Sequence, residues 1–424
     1  MEDKSMLRYI FVHGLAGWGS YDEKYQEKPY WGMRGGDLMQ YLRDKGFDCA
    51  AASVAPHGSA WDRACELYAQ LAGTRVDYGV CHSKKYRHER FGRDFSDHPL
   101  ITWDSDTQLV LIGHSFGGAT VRLFSEILVN GAKEEIEGTS ADDFSPFFRG
   151  GFKGKIHSIV ALASPLNGTT AYDMFEDAGF DPLRVKAPWW STQLAKVMSK
   201  HVVPVRDGRD PRDFADYDMH IDAAAEMNRH LTTFPDVYYF SVPCSSTKAT
   251  KNGTHRPILK LTDPFFVKRS CQIGCYSGVT KGGTVIDGTW HENDGLVNLI
   301  SAKAPFGEPQ QELNRNSIRP GVWNICPTFI GDHMMIHGGL TRKRDVKDFY
   351  LDLLILIFNK TLQNPFSPGD ALNDSFGKIM NDITKTINHV GKSIKDFIFE
   401  PTFSEFLPNL LNGIHFRGVR WYME

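Results

Sequence analysis

The chain has 424 residues, 41% hydrophobic and 12% aromatic, with 48 Lys and Arg against 51 Asp and Glu and a formal net charge of −3. This is enough apolar material for a large core, and the charge balance gives no electrostatic case for nucleic acid. No apolar run reaches the roughly 18 to 20 residues needed to cross a bilayer, and 7 irregularly spaced cysteines exclude a disulfide scaffold.

Leu7 to Val12 reads as a strand and runs directly into His13-Gly14-Leu15-Ala16-Gly17-Trp18-Gly19. A strand ending in His-Gly with glycines behind it is where half of an oxyanion hole is supplied. The backbone N–H of Leu15 would be one donor and that of Phe116 the other. The plainer alternative is a glycine-rich turn. The opening MEDKSMLRYIFVHG lacks the charged and apolar regions of a secretory signal, so the compartment stays open. Gly35 to Lys45 reads as a helix, Phe47 to Val54 as a strand and Trp61 to Leu71 as a helix by its period. His82 and His88 follow in a polar loop, where histidines taken alone are more often solvated than ligating.

Leu109 to Ile112 is a short apolar run, read as a strand buried on both faces, and Ala119 to Asn130 has helical spacing. Between them stands Gly113-His114-Ser115-Phe116-Gly117, a G-x-S-x-G turn between strand and helix. In that context it is a nucleophile elbow: Ser115 sits in a strained conformation with its hydroxyl above the sheet, and a Cβ at Gly113 or Gly117 would collide with its neighbours.

Trp61–Leu71 (WDRACELYAQL), Val76–Gly79 (VDYG), the His82 and His88 pair with RFGR behind it, and HGLAGWG together are similar to the family I.5 bacterial lipases of the thermoalkalophilic Geobacillus type, related to the staphylococcal lipases. The similarity runs from about residue 7 to about 355. It implies an α/β-hydrolase fold with a mainly parallel central sheet, over about residues 1–362. It also implies a zinc-binding insertion at about 57–105 and a helical lid at about 171–217. Residues 363–424 would be a C-terminal helical extension without a counterpart in that family. Carried over position by position, the structural zinc ligands are Asp62, His82, His88 and Asp218, two imidazoles and two carboxylates that fill a tetrahedral site without leaving room for a catalytic water. The family's calcium site is expected to be absent, because Met335 stands where an acidic ligand is required and a thioether does not serve a hard cation.

Beyond the elbow, Ile156 to Leu162 reads as a strand, ending in Ala163-Ser164-Pro165 beside the expected pocket. From 171 to 217, Phe175, Phe180, Trp189, Trp190, Leu194 and Val197 are interleaved with charges: a lid with an apolar underside, or an ordinary amphipathic core helix. Asp222 to His230 is read as a helix, Val237 to Val242 as a strand, and 243–289 as irregular, with Cys271 and Cys275 near enough to pair. In His291-Glu292-Asn293-Asp294-Gly295 the resemblance makes Asp294 the triad acid, with Asp287 as competitor. It makes His333 in Gly331-Asp332-His333 the triad base, whereas nearby His337 lacks that context. The order Ser115, Asp294, His333 is that of α/β-hydrolases. Phe349 to Lys360 is a helix buried around most of its girth, and 374–398 is an amphipathic one.

The implied reaction is hydrolysis of long-chain acylglycerol esters through an acyl-enzyme at a lipid–water interface. The alternatives are a soluble carboxylesterase or phospholipase A1 and, from another class, a non-catalytic lipid-binding relative.

Overall fold

A computed structural model describes residues 7–104, 106–140, 143–202 and 208–361. The extension at 363–424 and the helix expected at 374–398 lie outside the described residues. Cα packing groups Ser5–Arg43 with Phe47–Gln363 as one compact unit, apart from Met1–Lys4, Asp44–Gly46 and Asn364–Glu424. All that follows concerns the first unit.

Its frame is a 7-stranded sheet. In chain order the strands are β1 (Leu7–Val12), β2 (Cys49–Ala52), β3 (Gln108–His114), β4 (Ile156–Leu162), β5 (Tyr238–Val242), β6 (Gln310–Glu312) and β7 (Trp323–Ile325). Their order across the sheet is β6-β7-β5-β4-β3-β1-β2, and every adjacent pair is parallel. The helices used below are α1 (Leu38–Asp44), α2 (Ala60–Ala72), α3 (Val80–Tyr86), α4 (Gly117–Asn130), α5 (Trp189–Val202), α6 (Ala215–Asp218), α7 (Ile221–Asn228) and α8 (Lys347–Thr361).

A parallel sheet must be covered on both faces, and the strand residues sort accordingly. In β3, Leu109 and Leu111 enter the core shared with Ala64 and Leu67 of α2 and Val121, Phe124 and Leu128 of α4. Val110 and Ile112 point the other way, into the core shared with Leu38 of α1 and Tyr350, Leu354 and Ile357 of α8. The period of two along each strand therefore serves two cores, each fully buried aliphatic side chain contributing about 1.5–3 kcal/mol. Because the strands are parallel, the segments leaving β1, β3, β4 and β5 emerge at one edge of the sheet.

Close approach at that edge is bought with glycine. A Cβ on Gly113 would lie 2.4 Å from the Gly117 carbonyl carbon, and one on Gly117 would lie 2.3 Å from the Val12 oxygen. The expected helix at Gly35 starts instead at Leu38, because Gly36 takes a φ of +98° after a single 3-10 turn. The stretch 243–289 contains more order than its composition suggests. It holds a helix (Val267–Ile273) and two antiparallel pairs, Thr247–Ala249 with His255–Pro257 and Gly278–Val279 with Val285–Ile286. Strands of two or three residues are too short to carry a periodic signal. Cys271 and Cys275 are free thiols, the Cys275 Sγ lying 3.3 Å from the Cys271 carbonyl oxygen.

Candidate active site and metal-ligating cluster

β3 ends at His114, and the next residue, Ser115, turns the chain into α4 with φ at +56°. A non-glycine residue held there costs on the order of 1–3 kcal/mol, sustained by the packing around it. The turn lifts Oγ of Ser115 to 2.8 Å from Nε2 of His333. On the other side of that ring, Nδ1 lies 2.8 Å from Oδ2 of Asp294. Asp294 is itself fixed: Oδ1 accepts the backbone N–H groups of Leu296 (2.9 Å) and Val297 (2.7 Å). The His333 backbone N–H donates to the Asp294 carbonyl at 2.9 Å. With the carboxylate accepting from Nδ1–H, Nε2 keeps its lone pair toward the serine hydroxyl, the tautomer a general base requires. All three residues are buried, Ser115 at 6% exposure, His333 at 2% and Asp294 at 1%.

The competing assignments fall elsewhere. Asp287 is exposed and accepts from the Thr289 N–H (2.9 Å) and hydroxyl (2.6 Å) at the start of a short 3-10 turn. His337 is buried, stacks on the Tyr30 ring at 4.3 Å with 4° between planes, and donates from Nδ1 to the Tyr30 carbonyl at 2.9 Å.

Leu15 and Phe116 flank the serine on the loop after β1 and at the N-cap of α4, and among the described residues neither backbone N–H has a protein acceptor. The loop is held by a side chain that the sequence reading passed over. Arg63, fully buried on α2, donates Nη2 to the His13 carbonyl, Nη1 to Ala55 O at 3.1 Å and Nε to Thr120 Oγ1 at 2.9 Å, and lies over the Phe116 ring at 5.2 Å. Burial pulls the guanidinium down only to about 10, so it stays charged at neutral pH. The available signal was an arginine on the apolar face of an otherwise buried helix.

A second cluster lies at the first turn of α2. Asp62, His82 and His88 come together as expected, but the fourth member is Asp213 rather than Asp218, with one ligand atom of each within 4.8 Å of the others. Asp218 closes α6, and its Oδ2 accepts the Ala60 N–H at 2.8 Å, so that carboxylate is spent capping α2. Nε2 of His82 is 3.2 Å from Asp62 Oδ1 and 3.1 Å from Asp213 Oδ1, and Nε2 of His88 is 3.3 Å from Asp213 Oδ2. Donors at the corners of a tetrahedron of 2.0–2.1 Å bonds are about 3.3 Å apart, so the spacing fits a bound metal ion. His88 Nδ1 donates to the Glu89 carbonyl at 2.8 Å, which leaves its Nε2 as a lone pair facing carboxylate oxygens. Among the described residues, that Nε2 and Asp62 Oδ1 are both buried without a hydrogen-bond partner. Lone pairs converging in this way could hold a metal ion. Among the described residues one cationic group reaches the edge of the cluster: Nη2 of Arg209 bridges Asp62 Oδ2 and Asp213 Oδ2, the second being the oxygen that also faces His88.

The segment preceding α6 carries exposed apolar side chains, Phe175 (51%), Leu183 (77%) and Trp189 (81%). Lys268 donates to the Val185 carbonyl at 2.7 Å and Gln272 to that of Pro182 at 2.8 Å, fastening this segment to the helix Val267–Ile273. On α5, Trp189 and Val197 (47% exposed) face outward and Ser191 is buried.

A family model described as "Lipase-like, C-terminal domain" matches residues 6–181 and 204–358. The chain is 31% identical over 341 residues to a lipase of Staphylococcus epidermidis, covering 75% of this chain and 48% of that protein, and 30% identical over 345 residues to lipase 1 of Staphylococcus aureus, with the same coverage. It thus spans about half the length of the curated relatives it matches. Among solved structures it is similar to EstA from Clostridium botulinum (31% identity, TM-score 0.72, covering 85% of this chain and 89% of that one). It is also similar to the Staphylococcus hyicus lipase (28%, TM-score 0.64, covering 92% and 98%).

Proposed function

The chain belongs to the lipase-like C-terminal domain family, and from that premise we propose that it hydrolyses carboxylic esters of lipids, acylglycerols foremost, through an acyl-enzyme on Ser115. The observation that carries the reading is the buried relay of Ser115 Oγ, His333 Nε2 and Asp294 Oδ2, with both hydrogen bonds at 2.8 Å. His333 takes the serine proton as Oγ attacks the ester carbonyl, and Asp294 holds the ring and stabilises the imidazolium. The Leu15 and Phe116 N–H groups receive the oxyanion, preset by the Arg63-braced loop and the α4 N-terminus. His333 then protonates the leaving alcohol, and water repeats the sequence to release the fatty acid.

Residues 171–217 are the lid in this reading. A long acyl chain needs an apolar cover, and Leu183 and Trp189 on the outside offer a surface to a lipid–water interface. Asp62, His82, His88 and Asp213 would hold zinc, the ion suited to two imidazoles and two carboxylates at tetrahedral spacing. Bound there, it supplies a cross-link between 62 and 213 and no activated water. The segment around 57–105 becomes a metal-held insertion.

The test is labelling by a fluorophosphonate, followed by hydrolysis of triacylglycerol emulsions and soluble short-chain esters. Labelling at Ser115 and a rate that climbs once the substrate passes its solubility limit are expected. A labelled enzyme with no such rise is a soluble esterase, preference for diacyl phospholipids marks a phospholipase, and an unlabelled protein removes the enzyme reading.

A further inference from the structure

Beneath the triad lie buried histidines that the reaction above does not use. One of them, His114, immediately precedes the nucleophile and is 1% exposed. Its Nε2 is 2.9 Å from the carbonyl oxygen of His333. A carbonyl only accepts, so Nε2 carries the hydrogen and Nδ1 is left as a lone pair. Tyr30 Oη lies 2.6 Å from that Nδ1, so the phenol donates to it. The same Oη receives the backbone N–H of Gly14 at 3.2 Å, and an amide only donates. Every proton in the series thus has one place to be: Gly14 N–H to Tyr30 Oη, Tyr30 Oη–H to His114 Nδ1, His114 Nε2–H to the carbonyl of His333. Burial holds the His114 imidazole well below its ordinary value, with His337 and His333 acting in the same direction, so it stays neutral and the pattern does not invert near neutral pH. The Tyr30 ring is clamped from the far side by His337, stacked at 4.3 Å.

The two ends of this series are the two parts that must face Ser115 together. Gly14 precedes the oxyanion donor Leu15 and packs so close that a Cβ there would lie 2.6 Å from Ser115 Cβ. His333 carries the base. We propose that Tyr30 and His114 are positioning residues, a one-directional hydrogen-bonded chain that locks the oxyanion loop to the backbone of His333 so that donor and base keep one register on the same hydroxyl. The inference rests on the ester-hydrolysis reading and adds to it how the two halves of the site are kept in step.

The test uses the full chain as Tyr30→Phe, His114→Leu, His114→Gln and the double variant Tyr30→Phe/His114→Leu. Active sites are counted with a fluorophosphonate, and kcat and KM are measured per titrated site on a soluble ester beside the melting temperature. Tyr30→Phe and His114→Leu are each expected to lower kcat per titrated site by about 10- to 100-fold with little change in KM. The double variant is expected to fall no further than the worse single one, because the chain works as a unit. His114→Gln, whose amide N–H can still reach the His333 carbonyl, recovers part of the rate. A drop only in titratable fraction or melting temperature, with kcat per site unchanged, overturns the proposal in favour of simple packing, and so does a double variant equal to the product of the singles. If His114→Leu does not fold, Tyr30→Phe, which removes one oxygen atom, decides alone. A wild-type protein that neither labels nor hydrolyses overturns the ester reading and this proposal together. An active wild type with an equally active Tyr30→Phe overturns this proposal only.

Discussion

The triad and the Asp/His cluster both gather side chains from distant parts of the sequence, yet they are finished in different ways. Around Ser115 every buried polar atom of the relay has a partner within the protein, and each residue leaves a strand end or is fixed by backbone donors. Around Asp62 the side chains converge with two buried ligand atoms unpartnered and two carboxylates side by side. The first arrangement is closed within the protein as a proton relay; the second could hold a metal ion. Ser115 leaves a strand of the seven-stranded sheet, whereas Asp62 and His82 stand on the helices α2 and α3, and His88 and Asp213 on irregular segments.

The contrast breaks most sharply at the nucleophile. Ser115→Ala is expected to lower ester hydrolysis by about 10⁴- to 10⁶-fold, read as initial rates, while leaving metal content unchanged. Asp213→Asn is expected to do the reverse in kind. Metal measured by elemental analysis after dialysis is largely lost and the melting temperature falls by several degrees, whereas Asp218→Asn keeps its metal. Retention by the first and loss by the second would favour Asp218 over Asp213 as the fourth ligand. Smaller still is Gly113→Ala. Its methyl meets the α4 backbone at 2.4 Å and is expected to destabilise by about 1–3 kcal/mol in denaturant titrations. Arg209→Gln sharpens the charge argument. With no guanidinium across Asp62 and Asp213, the gap in melting temperature between metal-loaded and chelator-stripped protein should widen.

The smallest effect concerns pH. Burial raises the Glu66 carboxyl to about 7, although it accepts the Ala55 N–H and the Tyr78 hydroxyl. A carboxyl raised in the folded state favours its protonated form there, so its contribution to stability falls as pH climbs from the ordinary glutamate value through about 7. Glu66→Gln should therefore gain on the wild type between pH 5 and pH 8, by at most about 2.5 kcal/mol. A constant difference across that range contradicts the assignment.

What the sequence made readable follows the same division. β4 is found at the expected bounds, and β3 and α4 differ by a few residues, because apolar runs bounded by turn residues have few other ways to fold. Ser115, Asp294 and His333 each sit in a local motif, and the structure brings them within hydrogen-bonding reach. The fourth member of the Asp/His cluster sits in no such motif. Asp213, Asp216 and Asp218 crowd into six residues, and only the start of α6 after Phe214 decides which carboxylate turns toward the histidines. Arg63 and Tyr30 were missed for a related reason. Their partners include the His13 carbonyl and Thr120 hydroxyl for Arg63 and the Gly14 amide and His114 ring for Tyr30, which stand elsewhere along the chain and leave no mark on local spacing.

One helix turn joins the two regions. Asp62 and Arg63 are consecutive in α2, and the Ser59 cap that accepts the Asp62 N–H also donates to Asp213 at 2.8 Å. Fraying of that single turn would loosen the ion and unbrace the loop behind Leu15 in one event. On the proposed function, thermal inactivation and release of a metal held there should then share one rate, making the cluster a fuse for the activity although it stands outside the reaction.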